Sequence, residues 1–481
     1  MLACNESDTG VVPGPKGSRR PAGAPTRESM ENRLGEGRRR TAAKAAGAPS
    51  TLEWSAVDWR RVHKEVWRLQ VRIAEAVRQG RWGKVRSLQR LLVRSRAAKL
   101  WAVRRVTTNK GRRTPGVDGV IWRGARQKLA AVEALKRRGY RPQPLRRVYI
   151  PKKNQKLRLL SIPTMKDRAM QALYLLTLNP IAETLADPNS YGFRLRRSVA
   201  DAWGQCFIAL AKGYSPEWVF EGDIESCFDQ ISHPWLLENI PMDREVLQKW
   251  LEAGYLENAT FHQTLAGTPQ GGVISPLLAN IYIHRLLRAW KKFDLERRLG
   301  ARIINYADDL VIVSQGQAEE ALIWLRRIVE RLGLKLNEEK TRVCDARKES
   351  FDFLGYTFGP QVSWKGERYI GFAPSKTRVK RLKGSLRGVL HPGNQAPIEE
   401  VVQELNRKLR GWKAYFRLGA RAKAYRAIDS YSRQRLRQFL VRRHKAPGRG
   451  VRRFNYEHLH DVLGLEQLTA YRQVSPSHAL S

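Results

Sequence analysis

Asp308 and Asp309 stand side by side in Ile303-Ile304-Asn305-Tyr306-Ala307-Asp308-Asp309-Leu310-Val311-Ile312-Val313, between two short apolar runs rich in β-branched residues. This is the pattern of a β-hairpin whose polar turn carries both acids. Two carboxylates crowded at the tip of a buried hairpin repel each other and lose water unless a cation neutralises them. A hard divalent ion such as Mg2+ suits carboxylate oxygens and completes its shell with substrate phosphates. Taken alone, the pair would read as a solvated turn, because Asp is a common turn residue. A second acidic strand changes that reading. Trp218-Val219-Phe220-Glu221-Gly222-Asp223 ends an apolar run on Asp223, and Phe228 follows five positions later. If Asp223 and Asp308 meet on neighbouring strand ends, the set can hold two ions, one activating an attacking hydroxyl and the other steadying a leaving phosphate. Attack of a strand's 3′-hydroxyl on a nucleoside triphosphate is a reaction of this kind.

These two acidic strands resemble the palm motifs of reverse transcriptases. Between them stands Gly267-Thr268-Pro269-Gln270-Gly271-Gly272-Val273-Ile274-Ser275-Pro276, similar in order and wording to the group II intron-encoded branch of that family. Upstream, Ile150-Pro151-Lys152 leads through Lys156 and Arg158 to Ser161-Ile162-Pro163-Thr164-Met165-Lys166-Asp167-Arg168, which resembles the fingers segment that grips the incoming triphosphate. Thr114-Pro115-Gly116-Val117-Asp118-Gly119 and Ser190-Tyr191-Gly192-Phe193-Arg194 match two further blocks. Leu334-Lys335-Leu336-Asn337-Glu338-Glu339-Lys340-Thr341 and Phe351-Asp352-Phe353-Leu354-Gly355-Tyr356 follow the hairpin. The resemblance covers roughly residues 54 to 460. Arg158-Leu159-Leu160 stands where the family usually has Arg-Pro-Leu, so the φ that Pro would fix is free there.

The resemblance implies an α+β right-hand polymerase with fingers and palm at 105–360 and an α-helical thumb, the maturase domain X, at 361–445. It implies an RNA-directed DNA polymerase that also assists splicing of its intron. Asp223 and Asp308 would be direct ligands of two Mg2+ ions, with Mn2+ as a substitute, and Asp309 would support them. Phe228 would lie under the sugar of the incoming nucleotide and exclude a 2′-hydroxyl. Gln270 would contact that nucleotide from the loop before Gly271 and Gly272, whose missing side chains permit close backbone approach. Lys152 and Arg158 would hold the triphosphate, the Arg by its planar fork and the Lys as a point charge. Tyr306 would support the primer end or the hairpin packing. Asp229 reads as a cap or hydrogen-bond anchor for the segment beginning at Ser232, outside the metal set. The partners implied are intron RNA, an RNA template with a DNA primer, dNTPs and target DNA. Two other readings stay open: an RNA-binding maturase whose fold persists as a catalytically idle scaffold, and a reverse transcriptase co-opted for host defence.

The elements that must position these residues are legible in outline. The 89 Lys and Arg against 45 Asp and Glu give a formal net charge of +44, the footprint of a polyanion binder. No apolar run is long enough to span a bilayer and no signal-peptide core opens the chain, so a cytoplasmic, nucleoid-associated place is expected and no membrane partner. Cys4, Cys206, Cys227 and Cys344 are far apart, which supports neither a disulfide framework nor a cysteine zinc site. Residues 1–50 hold no Phe, Tyr or Trp and should form a disordered basic arm. Val62, Val66, Leu69, Ile73 and Val77 recur at helical spacing, and Leu88, Leu91 and Leu92 continue in a second helix, giving a helical N-terminal extension over 51–104. The family's extension contacts template and intron RNA.

Beyond Pro374 the β pattern disappears. Leu382, Leu386 and Leu390 mark one helix, Leu405, Leu409, Trp412 and Phe416 a second, and Ile428, Tyr431, Leu436, Phe439 and Leu440 a third. Residues 361–481 carry 26 Lys and Arg against 8 Asp and Glu. Trp412 and Phe416 are expected in the core, leaving Lys and Arg on the other face for RNA. His458 and His460 lie two apart with no third ligand and read as surface residues. Residues 446–481 read as a basic tail without the His-Asn-His endonuclease of many relatives.

Overall fold

The computed structural model describes residues 53–151, 157–211, 215–363 and 365–469. The N-terminal helices are α1 (Trp59–Arg78), α2 (Trp82–Arg94), α3 (Arg96–Thr108) and α4 (Ala125–Ala134). Asp58 caps α1 by accepting the backbone N–H groups of Arg60 and Arg61 at 2.9 and 3.0 Å. The stripe read from the sequence is the buried one: Val62, Val66, Ile73 and Val77 face inward, while Leu91 of the second helix is exposed. All three long helices lean on α5 (Met165–Leu185), which is buried along most of its length.

Leading into α5 is the hairpin β1 (Leu145–Pro151) and β2 (Leu157–Ile162), in antiparallel register with Tyr149 opposite Leu159. Leu159 thus sits in a regular ladder at the position where a proline would have removed a donor. Then come α6 (Val199–Leu210), β3 (Trp218–Glu225), α7 (His233–Asn239), α8 (Arg244–Leu251), β4 (Tyr255–Glu257) and β5 (Thr260–His262). The latter two extend the hairpin into a sheet of order β2-β1-β4-β5.

Next along the chain are α9 (Ser275–Lys292), α10 (Leu295–Arg298), β6 (Arg302–Tyr306), β7 (Asp309–Ser314), α11 (Ala318–Arg331), β8 (Lys335–Leu336) and β9 (Arg342–Asp345). They complete the central sheet, in which β3 is flanked by β7 on one side and by β9 and β8 on the other, with β6 outside β7. One face of this sheet packs on α5, α9 and α11 through Phe220, Ile303, Leu310 and Ile312. The other buries Val219, Ile304, Val311 and Val313 against Trp203 of α6 and a second, three-stranded sheet.

That second sheet consists of β10 (Phe351–Phe353), β11 (Tyr356–Val362) and β12 (Arg368–Pro374). Strand β11 runs straight through residue 360, where the sequence reading placed the start of the thumb. Three helices follow, α12 (Lys376–Val389), α13 (Ile398–Tyr415) and α14 (Ala422–Arg443), around a core of Leu382, Leu386, Leu405, Leu409, Ile428 and Leu436. At the end of α13, Phe416 is 3% exposed and packs at 5.0 Å from Tyr356 and 4.5 Å from Trp412. Phe416 is the core residue its spacing implied, and Trp412 is partly buried against it.

Candidate active site

Strands β3 and β7 run antiparallel in a register that sets Asp223 directly opposite Asp309. Asp308 occupies the turn between β6 and β7, and its carbonyl oxygen accepts the backbone N–H of Ile224 at 3.2 Å. Three carboxylates from two strands therefore gather at one end of the central sheet. Desolvation first, then the charges of Asp308 and Asp223, push the Asp309 carboxyl up to about 7, although the residue itself is solvent-exposed at the sheet end. The same field reaches Cys227, whose buried thiol is pushed up to about 12 with Asp308, Asp229 and Asp223 all contributing.

Two cations oppose this charge, and neither was assigned a role in the sequence reading. Lys340 forms an ion pair with Asp223, and that hydrogen bond holds its ammonium above the usual lysine range. Asn337 adds a backbone N–H to the Asp223 carbonyl at 2.8 Å. Arg378, in the first turn of α12, pulls the Asp309 carboxyl downward and lies over the Leu354-Gly355 turn. A Cβ on Gly355 would come within 2.7 Å of its Nε.

The turn itself is braced from behind. Ala307 takes φ +60°, a left-handed conformation that costs a non-glycine residue energy unless its surroundings hold it. Asn305, 1% exposed, donates from its side chain to the Ala307 carbonyl at 2.7 Å, and its backbone pairs with Asn189 and Tyr191 at 2.9 Å each. Gly192 then lies so close that a Cβ there would meet the Ala307 nitrogen at 2.3 Å. Tyr306 is half-buried and packs against the aromatic core behind the sheet.

Phe228 follows β3 in a short helical turn, half-buried, its ring edge-on to Phe193 at 6.2 Å. The Phe228 carbonyl accepts the N–H of Thr268 at 2.7 Å, tying this turn to the Gly267–Gly272 loop. In that loop the Gln270 carbonyl accepts the Ser161 N–H at 2.8 Å, and its side chain reaches Asp229 at 3.5 Å. Gly271 has φ +129° and a Cβ would meet the Ser161 carbonyl oxygen at 2.8 Å, so its close approach is to strand β2. Asp229 is the hydrogen-bond anchor of Gln270, while the helix cap expected of it falls to Ser232, which accepts from Trp235. Arg158 lies in β2 opposite Ile150, and Lys152 lies outside the described residues.

The oxygen-only donor set and its excess negative charge fit a hard divalent cation, and Lys340 shows that the cluster recruits positive charge where it can. Among the described residues no group of three or more His, Cys, Asp or Glu is by itself arranged to hold a metal ion. An ion that keeps waters and substrate phosphates in its shell needs only one or two protein carboxylates. Because the folded protein keeps a proton on Asp309 up to about pH 7 and the unfolded chain releases it near the ordinary 3.8, stability is lost as pH rises through that window. Asp309→Asn should therefore raise the melting temperature of the metal-free protein by about 2 °C at pH 8. The gain should be smaller at pH 5 and vanish only as pH falls to the ordinary 3.8, and thermal melts across this range check both halves.

A family model described as reverse transcriptase (RNA-dependent DNA polymerase) matches residues 150–358. One for the N-terminal domain of reverse transcriptase matches 54–135, and one for the group II intron, maturase-specific domain matches 379–456. The fold is thus that of a reverse transcriptase. Group II intron-encoded protein LtrA of Lactococcus lactis subsp. cremoris is 32% identical over 360 residues, covering 59% of this chain and 58% of that protein. Protein YkfC of Escherichia coli is 32% identical over 333 residues, covering 60% of this chain and 87% of that protein. The uncharacterized 91 kDa protein in cob intron of Schizosaccharomyces pombe is 25% identical over 363 residues, with 59% and 45% covered. The chain belongs to the group II intron-encoded reverse transcriptase and maturase family. It spans somewhat over half the length of the Lactococcus relative. Among the described residues no helix is long and apolar enough to cross a membrane.

Proposed function

We propose that this chain is an RNA-directed DNA polymerase that also assists the splicing of a group II intron. The register that sets Asp223 opposite Asp309, with Asp308 in the adjoining turn, is the observation that carries this reading. Asp223 and Asp308 would hold two Mg2+ ions, or Mn2+ in their place, with Asp309 in support. When bound, such ions activate the primer's 3′-hydroxyl and steady the leaving pyrophosphate. The chain's own groups do the positioning. Lys152 and Arg158 hold the triphosphate, Gln270 orients the nucleotide from a loop locked to β2 through Gly271, and Phe228 blocks the space a 2′-hydroxyl would need.

The helical extension at 51–104, the thumb at 361–445 and the basic tail at 446–481 are read as the RNA-binding parts, with intron RNA, primed RNA template and target DNA as partners. Residues 1–50, read as a basic arm, lie outside the described residues. A cytoplasmic, nucleoid-associated enzyme follows from those partners. Extension of a DNA primer on an RNA template with dNTPs and Mg2+ tests the reading, and a folded, RNA-bound protein that makes no DNA overturns it. One observation favours the catalytically idle scaffold instead: Lys340 already neutralises Asp223. Splicing assistance with no DNA synthesis would decide for it.

Replacing Phe228 by Val should let ribonucleotides in, narrowing the preference for dNTPs by about 10- to 100-fold with little change in dNTP incorporation. Paired incorporation rates for dCTP and CTP measure it, and an unchanged ratio would assign Phe228 to core packing.

A further inference from the structure

Asp223 and Asp309 share a cavity of about 380 Å³ with the turn between β10 and β11. Asp223, Asp309 and Lys340 line one side, and Asp352, Phe353 and Leu354 the other. On the proposed reading, a strand end brought to the acids must lie against this turn. The turn is tightly shaped: Leu354 has φ +50° and Gly355 φ +90°. It is held from the thumb side by Tyr415, which donates to the Leu354 carbonyl at 2.9 Å, and by the Ser375 N–H on the Gly355 carbonyl at 3.1 Å.

From the side of β3 an ion pair holds it. Glu221 is two residues before Asp223 on β3 and therefore on the same face of the sheet. Its Oε1 accepts the backbone N–H of Asp352 at 2.6 Å. Its Oε2 accepts from Nε of Arg342, its cross-strand neighbour on β9, at 3.3 Å. Arg342 also donates to the Ser350 carbonyl at 2.6 Å. The pair thus pins β10 to the catalytic strand at residues 350 and 352, immediately before the turn. This half-buried carboxylate is the link between two walls of one cavity.

We propose that Glu221 is a positioning residue which, paired with Arg342, fixes the Asp352–Gly355 turn at the distance from Asp223 and Asp309 that seats the 3′ end of the primer strand. This rests on the polymerase reading. Misplacing a reacting atom by about 1 Å costs on the order of 100-fold in rate without necessarily weakening binding. The effect should therefore fall on the rate of addition and spare affinity.

The test is single-turnover addition of one dNTP to a DNA primer annealed to RNA, in wild type, Glu221→Gln, Arg342→Gln and the double variant, each with its melting temperature. Either single variant should lower the maximal rate by about 10- to 100-fold, with the dNTP dissociation constant and primer–template affinity within about twofold of wild type. The double variant should be no worse than the worse single, because both break one link. Fluorescence of 2-aminopurine at the primer terminus should change in the variants, which a loss of stability alone would not produce. A Glu221→Gln or Arg342→Gln protein that melts like wild type and adds nucleotide at the wild-type rate overturns the inference. So does a loss confined to affinity. Should one variant fail to fold, the other carries the same test. A wild type that makes no DNA overturns the polymerase reading and this inference with it, whereas a working wild type beside unaffected variants overturns this inference alone.

Discussion

Asp308→Ala should reduce DNA synthesis by at least about 1,000-fold, equivalent to about 4 kcal/mol of lost transition-state stabilisation, while leaving the protein folded and bound to RNA. The backbone part of this residue's structural work survives the change. Its carbonyl receives the Ile224 N–H, and the left-handed conformation in the turn belongs to Ala307, so alanine at 308 keeps the hairpin intact. Only the carboxylate is lost. Its removal also relieves the repulsion that pushes Asp309 up, so the variant should melt no lower than wild type. Nucleotide addition in Mg2+, set beside melting temperature and RNA affinity, makes the comparison. Synthesis within tenfold of wild type would remove Asp308 from the catalytic set.

The second large effect comes from a residue that touches no substrate. Gly192 has an unstrained backbone, so alanine there is not disfavoured by conformation, yet its Cβ would stand 2.3 Å from the Ala307 nitrogen and 2.9 Å from the Tyr306 carbonyl carbon. Both are backbone atoms of the turn that carries Asp308 and cannot rotate aside. The loop that carries Gly192 cannot retreat easily either, because Arg194 donates to the carbonyls of Asp187 and Ser190 at 2.6 Å and Asn280 donates to that of Gly192. The turn should yield, and with it the spacing of Asp308 and Asp309 from Asp223. Gly192→Ala should lose about 100-fold in the rate of nucleotide addition with a near-normal melting temperature. A wild-type rate would show that the turn tolerates the displacement.

The acids and the helices were legible in the chain because each is announced locally. Asp223, Asp308 and Asp309 end or interrupt apolar runs, and the buried Val62, Val66, Ile73 and Val77 repeat with the period of a helix. What escaped was set by distance along the chain. Lys340 reaches Asp223 from 117 positions away, and Arg378 comes from a helix beyond the second sheet. Nothing about an isolated Lys or Arg in so basic a chain marks it as the one that faces an acid. Glycine was legible as a type and not as a contact: Gly271 approaches β2 and Gly192 approaches Ala307, pairings that only the fold creates. Leu91 lies in the helix that its spacing implied, yet it is exposed where Leu88 and Leu92 are buried, a difference that only the fold decides.

Near the end of α13, the partly buried Trp412 packs against two cores at once, and Phe416 beside it belongs to the one behind the sheets. On one side they meet Tyr425 and the helices of the C-terminal region; on the other, Phe416 packs on Tyr356 in the same cluster that backs Ile304 and Val311 of the catalytic hairpin. The region that matches the reverse transcriptase model and the region that matches the maturase-specific model therefore share packing through these residues. A chain cut ahead of α12 would lay Tyr356 and Trp203 open to water and remove the floor beneath the strands that carry the acids. The two activities ascribed to such a protein would be inherited, mutated and lost as one physical object.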